Sequence, residues 1–122
     1  HRFFFKCENV QRTGAFKARG AMNAVLTALE QPKKPSRVVC YSSGNHAAAV
    51  AWACASQQPP IPCTIYMPDN VSPLKLQACR AYGADVVLTP TRQEAEALCE
   101  EAARKGAYIV PPFDSDAVIC GQ

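Results

Sequence analysis

No stretch of this 122-residue chain approaches the roughly 20 apolar residues needed to cross a bilayer. The longest low-polarity stretch, Ala47 to Ala55, is far shorter and suits a buried helix. Charge of one sign is also scarce. Thirteen Lys+Arg face ten Asp+Glu, and a scattered net charge of +3 offers no basic stripe for nucleic acid. No two of the seven cysteines form a CxxC pair, and most lie inside apolar runs. That pattern predicts reduced, buried thiols in a reducing compartment, hence a cytoplasmic location, rather than a disulfide or zinc framework. Repeats and low-complexity tracts are missing, and no signal peptide or basic transit segment opens the chain. The chain starts at His1 without Met and stops straight after Gly121, which reads as a piece of a longer protein. What is present, 48% apolar and 19% charged residues, is enough for one ordinary domain and excludes a disordered chain.

Short apolar runs alternate with helical patterns. Phe3 to Cys7 predicts a short aromatic strand. Gly14 follows a polar turn, and Ala18, Ala21, Met22, Val25 and Leu29 then fall at helical spacing. The linker Gln31-Pro32-Lys33-Lys34-Pro35 ends that helix. Strands are expected at Arg37–Tyr41, Cys63–Met67, Asp85–Leu88 and Ala107–Val110. Helices are expected at Asn45–Ser56, from a Ser72 cap with Pro73 to Gly83, and from Thr91 to Arg104. Thr91 and Glu94 form a capping-box pattern, and Asp116 starts one more helix. Strands alternating with helices imply an α/β fold with a doubly wound parallel sheet. Residues 36–112 hold four strands and three helices as a small domain. Residues 1–35 form a separate part with the linker, and 113–122 begin a return to it. The strand at Phe3–Cys7 has no obvious partner within the chain, so residues 1–34 are expected to sit apart.

Two stretches carry chemistry. In Thr13-Gly14-Ala15-Phe16-Lys17-Ala18-Arg19-Gly20 a lysine stands just inside a helix start, beside a glycine turn and an aromatic. A cation at the positive end of a helix dipole is disfavoured, and a lysine that loses its proton readily forms Schiff bases and acts as a base. The alternative is a plain surface lysine in a first turn. In Ser42-Ser43-Gly44-Asn45-His46 a turn joins an apolar strand to a helix N-terminus, where backbone N–H groups bind carboxylates or phosphates. Such turns lie beyond the carboxyl ends of the strands, where open α/β sheets hold ligands. Here the alternative is that Ser43 or Asn45 only caps the helix. His46 reads as a structural histidine, since no partner stands at metal-ligand spacing. Pro111-Pro112-Phe113-Asp114 reads as a loop without chemistry.

Together these stretches resemble one family. The segment from Phe5 to Ala21, with Thr13-Gly14-Ala15-Phe16-Lys17, is similar to the lysine motif of serine racemases and threonine dehydratases. These are fold-type II pyridoxal phosphate (PLP) enzymes of the tryptophan synthase β-like fold. Ser42-Ser43-Gly44-Asn45-His46 resembles their substrate loop, and Ala81-Tyr82-Gly83-Ala84 and Val118-Ile119-Cys120-Gly121-Gln122 fit the family's order. The resemblance implies that Lys17 carries PLP covalently and moves the α-proton. Phe16 would pack near the cofactor ring, and Asn45 would hydrogen-bond its phenolic oxygen. Ser42, Ser43, Gly44, Asn45 and His46 would hold the substrate carboxylate, with Ser43 supplying the opposite-face proton. The implied reaction is racemisation, or β-elimination giving a keto acid and ammonia, of serine or threonine. A small-molecule amino acid is the implied partner, with no nucleic acid or membrane, and the full-length protein would be a homodimer.

There are departures. Ala47-Ala48 follow His46 where the family commonly has Gly-Gln or Ala-Gln, and Cys120 stands where Ala is usual. Pro112-Phe113-Asp114 looks more like the dehydratase version than the vertebrate racemase version. The family's glycine-rich phosphate loop, its pyridine-nitrogen ligand and its acidic divalent-metal site are expected outside these residues. The chain alone is therefore expected to bind PLP weakly and turn over little. Two other readings remain: another fold-type II lyase such as a threonine synthase, disfavoured because Lys17-Ala18-Arg19-Gly20 lacks Lys-Asp-Arg, and a non-catalytic small-domain binding module.

Overall fold

A computed structural model describes all residues, His1–Gln122. Its centre is a four-stranded parallel sheet in the order β3-β2-β1-β4, where β1 is Val38–Tyr41, β2 Cys63–Pro68, β3 Asp85–Thr89 and β4 Tyr108–Ile109. β1 lies between neighbours, with Val38 opposite Cys63 on one side and Tyr108 on the other. All four of its residues are buried, as a Val-rich run in a parallel sheet covered on both faces requires. β4 is shorter than the expected Ala107–Val110. Only Tyr108 and Ile109 pair before Pro111 and Pro112, which carry no N–H, end the ladder.

The helices split between the two faces. On one lie α2 (Asn45–Ala55) and α3 (Pro73–Ala81), with α1 (Lys17–Glu30) and α5 (Asp116–Gly121) packed behind α2. The other carries α4 (Arg92–Arg104), whose Ala95 and Cys99 meet Val39 and Tyr41 of β1. Six alanines among eleven residues make α2 a strong helix former, narrow enough to be buried nearly all round. α3 starts with Pro73 at its first position but without a side-chain cap from Ser72. Beyond its end Gly83 adopts φ of +77°, which a side chain would strain. Of the capping box at α4, the Thr91 half forms: its hydroxyl accepts from the Glu94 N–H at 3.2 Å. The Glu94 carboxylate takes the Thr91 hydroxyl at 3.3 Å rather than reaching back to the backbone.

Two expectations are corrected. Phe3–Cys7 forms no strand: Phe3, Phe4 and Phe5 stand exposed, and two short 3-10 turns follow, Glu8–Val10 and Arg12–Gly14. An extended run is held only by a neighbouring strand, and none pairs with it here. Nor do residues 1–34 stand apart. Ala21, Ala24 and Val25 of α1 belong to the same apolar cluster as Val38, Ile65 and Met67 of the sheet. α1 also meets α5 at close range through Gly20 and Gly121. A Cβ added at Gly121 would come within 2.7 Å of the Arg19 carbonyl oxygen and 2.8 Å of the Gly20 Cα. Five of the seven thiols, Cys40, Cys54, Cys63, Cys79 and Cys99, are buried, Cys7 and Cys120 are exposed, and all are free. Burial pushes Cys79 up to about 11 and Cys99 up to about 12, which makes them inert packing groups.

Candidate functional site

Lys17 is the first residue of α1 and is half-buried. Its Nζ donates to the Pro112 carbonyl at 2.7 Å and lies 5.4 Å from the centroid of the Phe16 ring. No acidic side chain sits in that first turn, so a neutral carbonyl and an aromatic face hold the amine. The turn before it is built tightly. Thr13 takes a left-handed φ of +62°, rare for a β-branched residue, and its hydroxyl is buried without a partner. Glu8 forms an ion pair with Arg19, which ties this turn to α1, and Arg19 also donates to the Gln122 carbonyl.

The second stretch leaves β1 and enters α2. Gly44 is the N-cap and no side chain caps the helix, so Ser43 and Asn45 are not spent on capping. Ser42 Oγ instead accepts from the Gly44 N–H at 3.2 Å and shapes the turn. The first N–H groups of α2 therefore lack helical partners. His46 points inward. Its Nε2 lies 3.0 Å from the Val110 carbonyl, which can only accept, so Nε2 carries the hydrogen. Its Nδ1 is buried and unpartnered. Burial holds the imidazole below its ordinary range, and the Lys17 charge acts the same way, against the opposing pull of the Val110 bond. His46 thus anchors α2 to the end of β4, and Lys17 is anchored two residues further on.

These segments meet at the carboxyl ends of the strands. A cavity of about 140 Å³ opens there, walled by Tyr41 and the Ser42–Gly44 turn after β1, Tyr66 in β2, Arg92 at the start of α4, and Pro112 and Phe113 after β4. In an open α/β sheet a ligand crevice forms where successive connections leave in opposite directions. In this order that point lies between β1 and β4. Ser42, Ser43 and Gly44 line the cavity, and Lys17 reaches its wall through Pro112. Phe16 and Asn45 do not line it. Asn45 faces a second cleft of about 270 Å³ with Thr13, Gly44 and Lys75. Sequence reasoning missed Tyr41, Tyr66, Arg92 and the wall made by Pro112 and Phe113. A cation just after the β3 turn was the one available signal.

Comparison with known proteins follows the same outline. The family model described as "Pyridoxal-phosphate dependent enzyme" matches residues 1–122. The chain is 44% identical over 121 residues to an L-threonine ammonia-lyase of Geobacter sulfurreducens, covering 98% of this chain and 29% of that protein. It is 40% identical over 121 residues to a serine racemase of Schizosaccharomyces pombe, covering 98% of this chain and 36% of that protein. Its backbone resembles the crystal structure of a pyridoxal 5'-phosphate-dependent aspartate racemase with a TM-score of 0.86 and 40% identity, over 96% of this chain and 36% of that one. The chain therefore spans about a third of the length of the relatives it matches.

Proposed function

Because the chain belongs to the family of pyridoxal-phosphate dependent enzymes, we propose that the polypeptide carrying it acts on small hydroxy amino acids such as serine or threonine. It racemises them, or eliminates the β-hydroxyl to give a keto acid and ammonia. The observation that carries this reading is the Lys17 amine. It is held by an uncharged carbonyl at 2.7 Å, on a residue that also walls the cavity shared with Ser42–Gly44. No ion pair has to break before that amine is used.

The exposure of three residues supports the cofactor reading, with Phe16 and Asn45 standing outside the cavity itself. Lys17 is half-buried beside a cavity, Phe16 keeps 43% of its surface open, and the Asn45 amide is exposed. Lys17 would hold the group covalently, Phe16 would pack on its ring, and Asn45 would bond its phenolic oxygen. Bound there, pyridoxal phosphate supplies an electron sink for the pair left on the α-carbon. Lys17 Nζ moves the α-proton on one face. The Ser43 hydroxyl, free of any capping duty, serves the other. The uncapped N–H groups at the start of α2 take the substrate carboxylate. Return of a proton to the opposite face inverts the centre, and loss of the β-hydroxyl gives elimination.

The same proposal includes a homodimer, a cytoplasmic location and a divalent metal held by residues outside 1–122. It also treats residues 36–112 as a unit that carries the Ser42–His46 loop and hinges at Gln31–Pro35. The α1–α2 contact is the surface such a motion would slide across. Structures with and without a substrate analogue that show no relative rotation would remove the hinge.

The central test is chemical. The polypeptide is loaded with PLP, reduced with borohydride and digested, and the pyridoxyl mass is expected on the peptide containing Lys17. A label elsewhere, or none, overturns the reading. Lys17→Ala is expected to lower turnover by at least on the order of 10²–10⁴-fold with unchanged melting. Retained activity with large destabilisation would favour a non-catalytic binding module.

A further inference from the structure

Lys17 opens α1, and the Ser42–Gly44 turn leads into α2. At the site both meet a third segment, the strap Val110-Pro111-Pro112 that follows β4. The strap has few hydrogen bonds of its own. Its two prolines carry no N–H, and its one backbone donor, the Val110 N–H, goes to the Val39 carbonyl at 2.9 Å. Its carbonyls do the rest. The Val110 carbonyl takes His46 Nε2 at 3.0 Å, the Pro112 carbonyl takes Lys17 Nζ at 2.7 Å, and neither has another partner. The second of these bonds belongs to the reacting amine and is given up when that amine reacts. The bond from His46 is then the only side-chain hydrogen bond left on the strap, whose Pro112 walls the cavity with Phe113.

Packing alone does not call for an imidazole here. His46 is the second residue of α2, directly behind Asn45 and the turn, and only 3% exposed. Its Nδ1 is buried without a partner, a cost that an apolar side chain of similar bulk would avoid. What the ring adds over such a side chain is one N–H that reaches the strap. Burial holds the imidazole below its ordinary range, so near neutral pH it is an uncharged donor and brings no second cation beside Lys17.

We propose that His46 is a positioning residue: its Nε2–H ties the strap to the start of α2 and so fixes the Lys17 amine and the cavity wall against the Ser42–Gly44 turn. This deepens the function proposed above for the same site and rests on it. The turn holds the substrate carboxylate and Lys17 moves the α-proton, so the strap sets the distance between anchor and base. A shift of about 1 Å between two such groups costs on the order of 10²-fold in rate.

The test compares His46→Leu, which fills similar space without a donor, with His46→Gln, whose amide N–H has a similar reach. In the PLP-free polypeptide carrying this sequence, lysines are reductively methylated with formaldehyde and cyanoborohydride. The rate at Lys17 is read by mass spectrometry against exposed Lys33 in the same sample. His46→Leu is expected to raise that ratio about threefold or more, because the strap no longer keeps the Pro112 carbonyl on the amine. His46→Gln should bring the ratio back toward the parent value. With PLP bound and serine as substrate, His46→Leu should lower kcat/KM by about tenfold or more, mainly through kcat, and His46→Gln should recover most of that loss. Equal Lys17 ratios in the parent and His46→Leu overturn the proposal. So do a His46→Gln as impaired as His46→Leu, and a His46→Leu with the parent kcat/KM. If circular dichroism shows that His46→Leu does not fold, His46→Asn takes its place, since its amide is one methylene shorter than that of Gln. If the parent turns over neither serine nor threonine, the proposed reaction fails on its own, and the methylation ratio still decides the role of His46.

Discussion

The two faces of the sheet are built unequally. One is covered by α2 and α3 with α1 and α5 behind, and its cluster holds eighteen buried residues, most of them Ala, Val and Cys. The other is covered by α4 alone over four buried residues, Val39, Tyr41, Ala95 and Cys99. Small side chains let helices approach closely on the thick face, so stability concentrates there. The thin face gives up packing but brings a helix start, with Arg92, to the cavity mouth. The molecule therefore concentrates its packing on one face and sets the cavity at the edge of the other.

Ways to break that comparison run from large to small. Ile65 is fully buried in the thick cluster, and Ile65→Ala should cost about 2–5 kcal/mol in denaturant unfolding. Gly121→Ala should cost about 1–3 kcal/mol, because the new Cβ meets backbone atoms of α1 at 2.7–2.8 Å that cannot swing away. Thr91→Ala removes the cap of α4 on the thin face and should cost about 1 kcal/mol. A Thr91→Ala cost equal to that of Ile65→Ala would show that the thin face carries as much of the fold. A Gly121→Ala chain as stable as the parent would show that the helices behind α2 separate freely.

The strand–helix rhythm from 36 to 112 was legible because its boundaries are written locally, in Pro73, Gly83, Thr91 and Gly106. The Lys17 and Ser42–His46 stretches were legible for the same reason, as continuous runs. Other features depend on partners distant in sequence. The aromatic run at Phe3–Phe5 looks like a strand to any local pattern, but a strand exists only beside another. The left-handed backbone of Thr13 runs against its residue type and is fixed by its surroundings. The cavity is assembled from positions near 41, 66, 92 and 112, and only the folded sheet brings them to one edge. Gly121 was recognised by resemblance alone. Its physical reason, the contact with Gly20, is invisible without the packed helices.

The hydrogen bond from Lys17 reaches across 95 positions of chain to the Pro112 carbonyl. During synthesis the amine emerges long before the oxygen that seats it. Until β4 and the Pro111-Pro112 turn after it have docked, that nucleophile lacks its setting, so any aldehyde that met the nascent chain early would find an ordinary, unplaced lysine. The timing of translation itself thus favours cofactor capture after folding rather than before it.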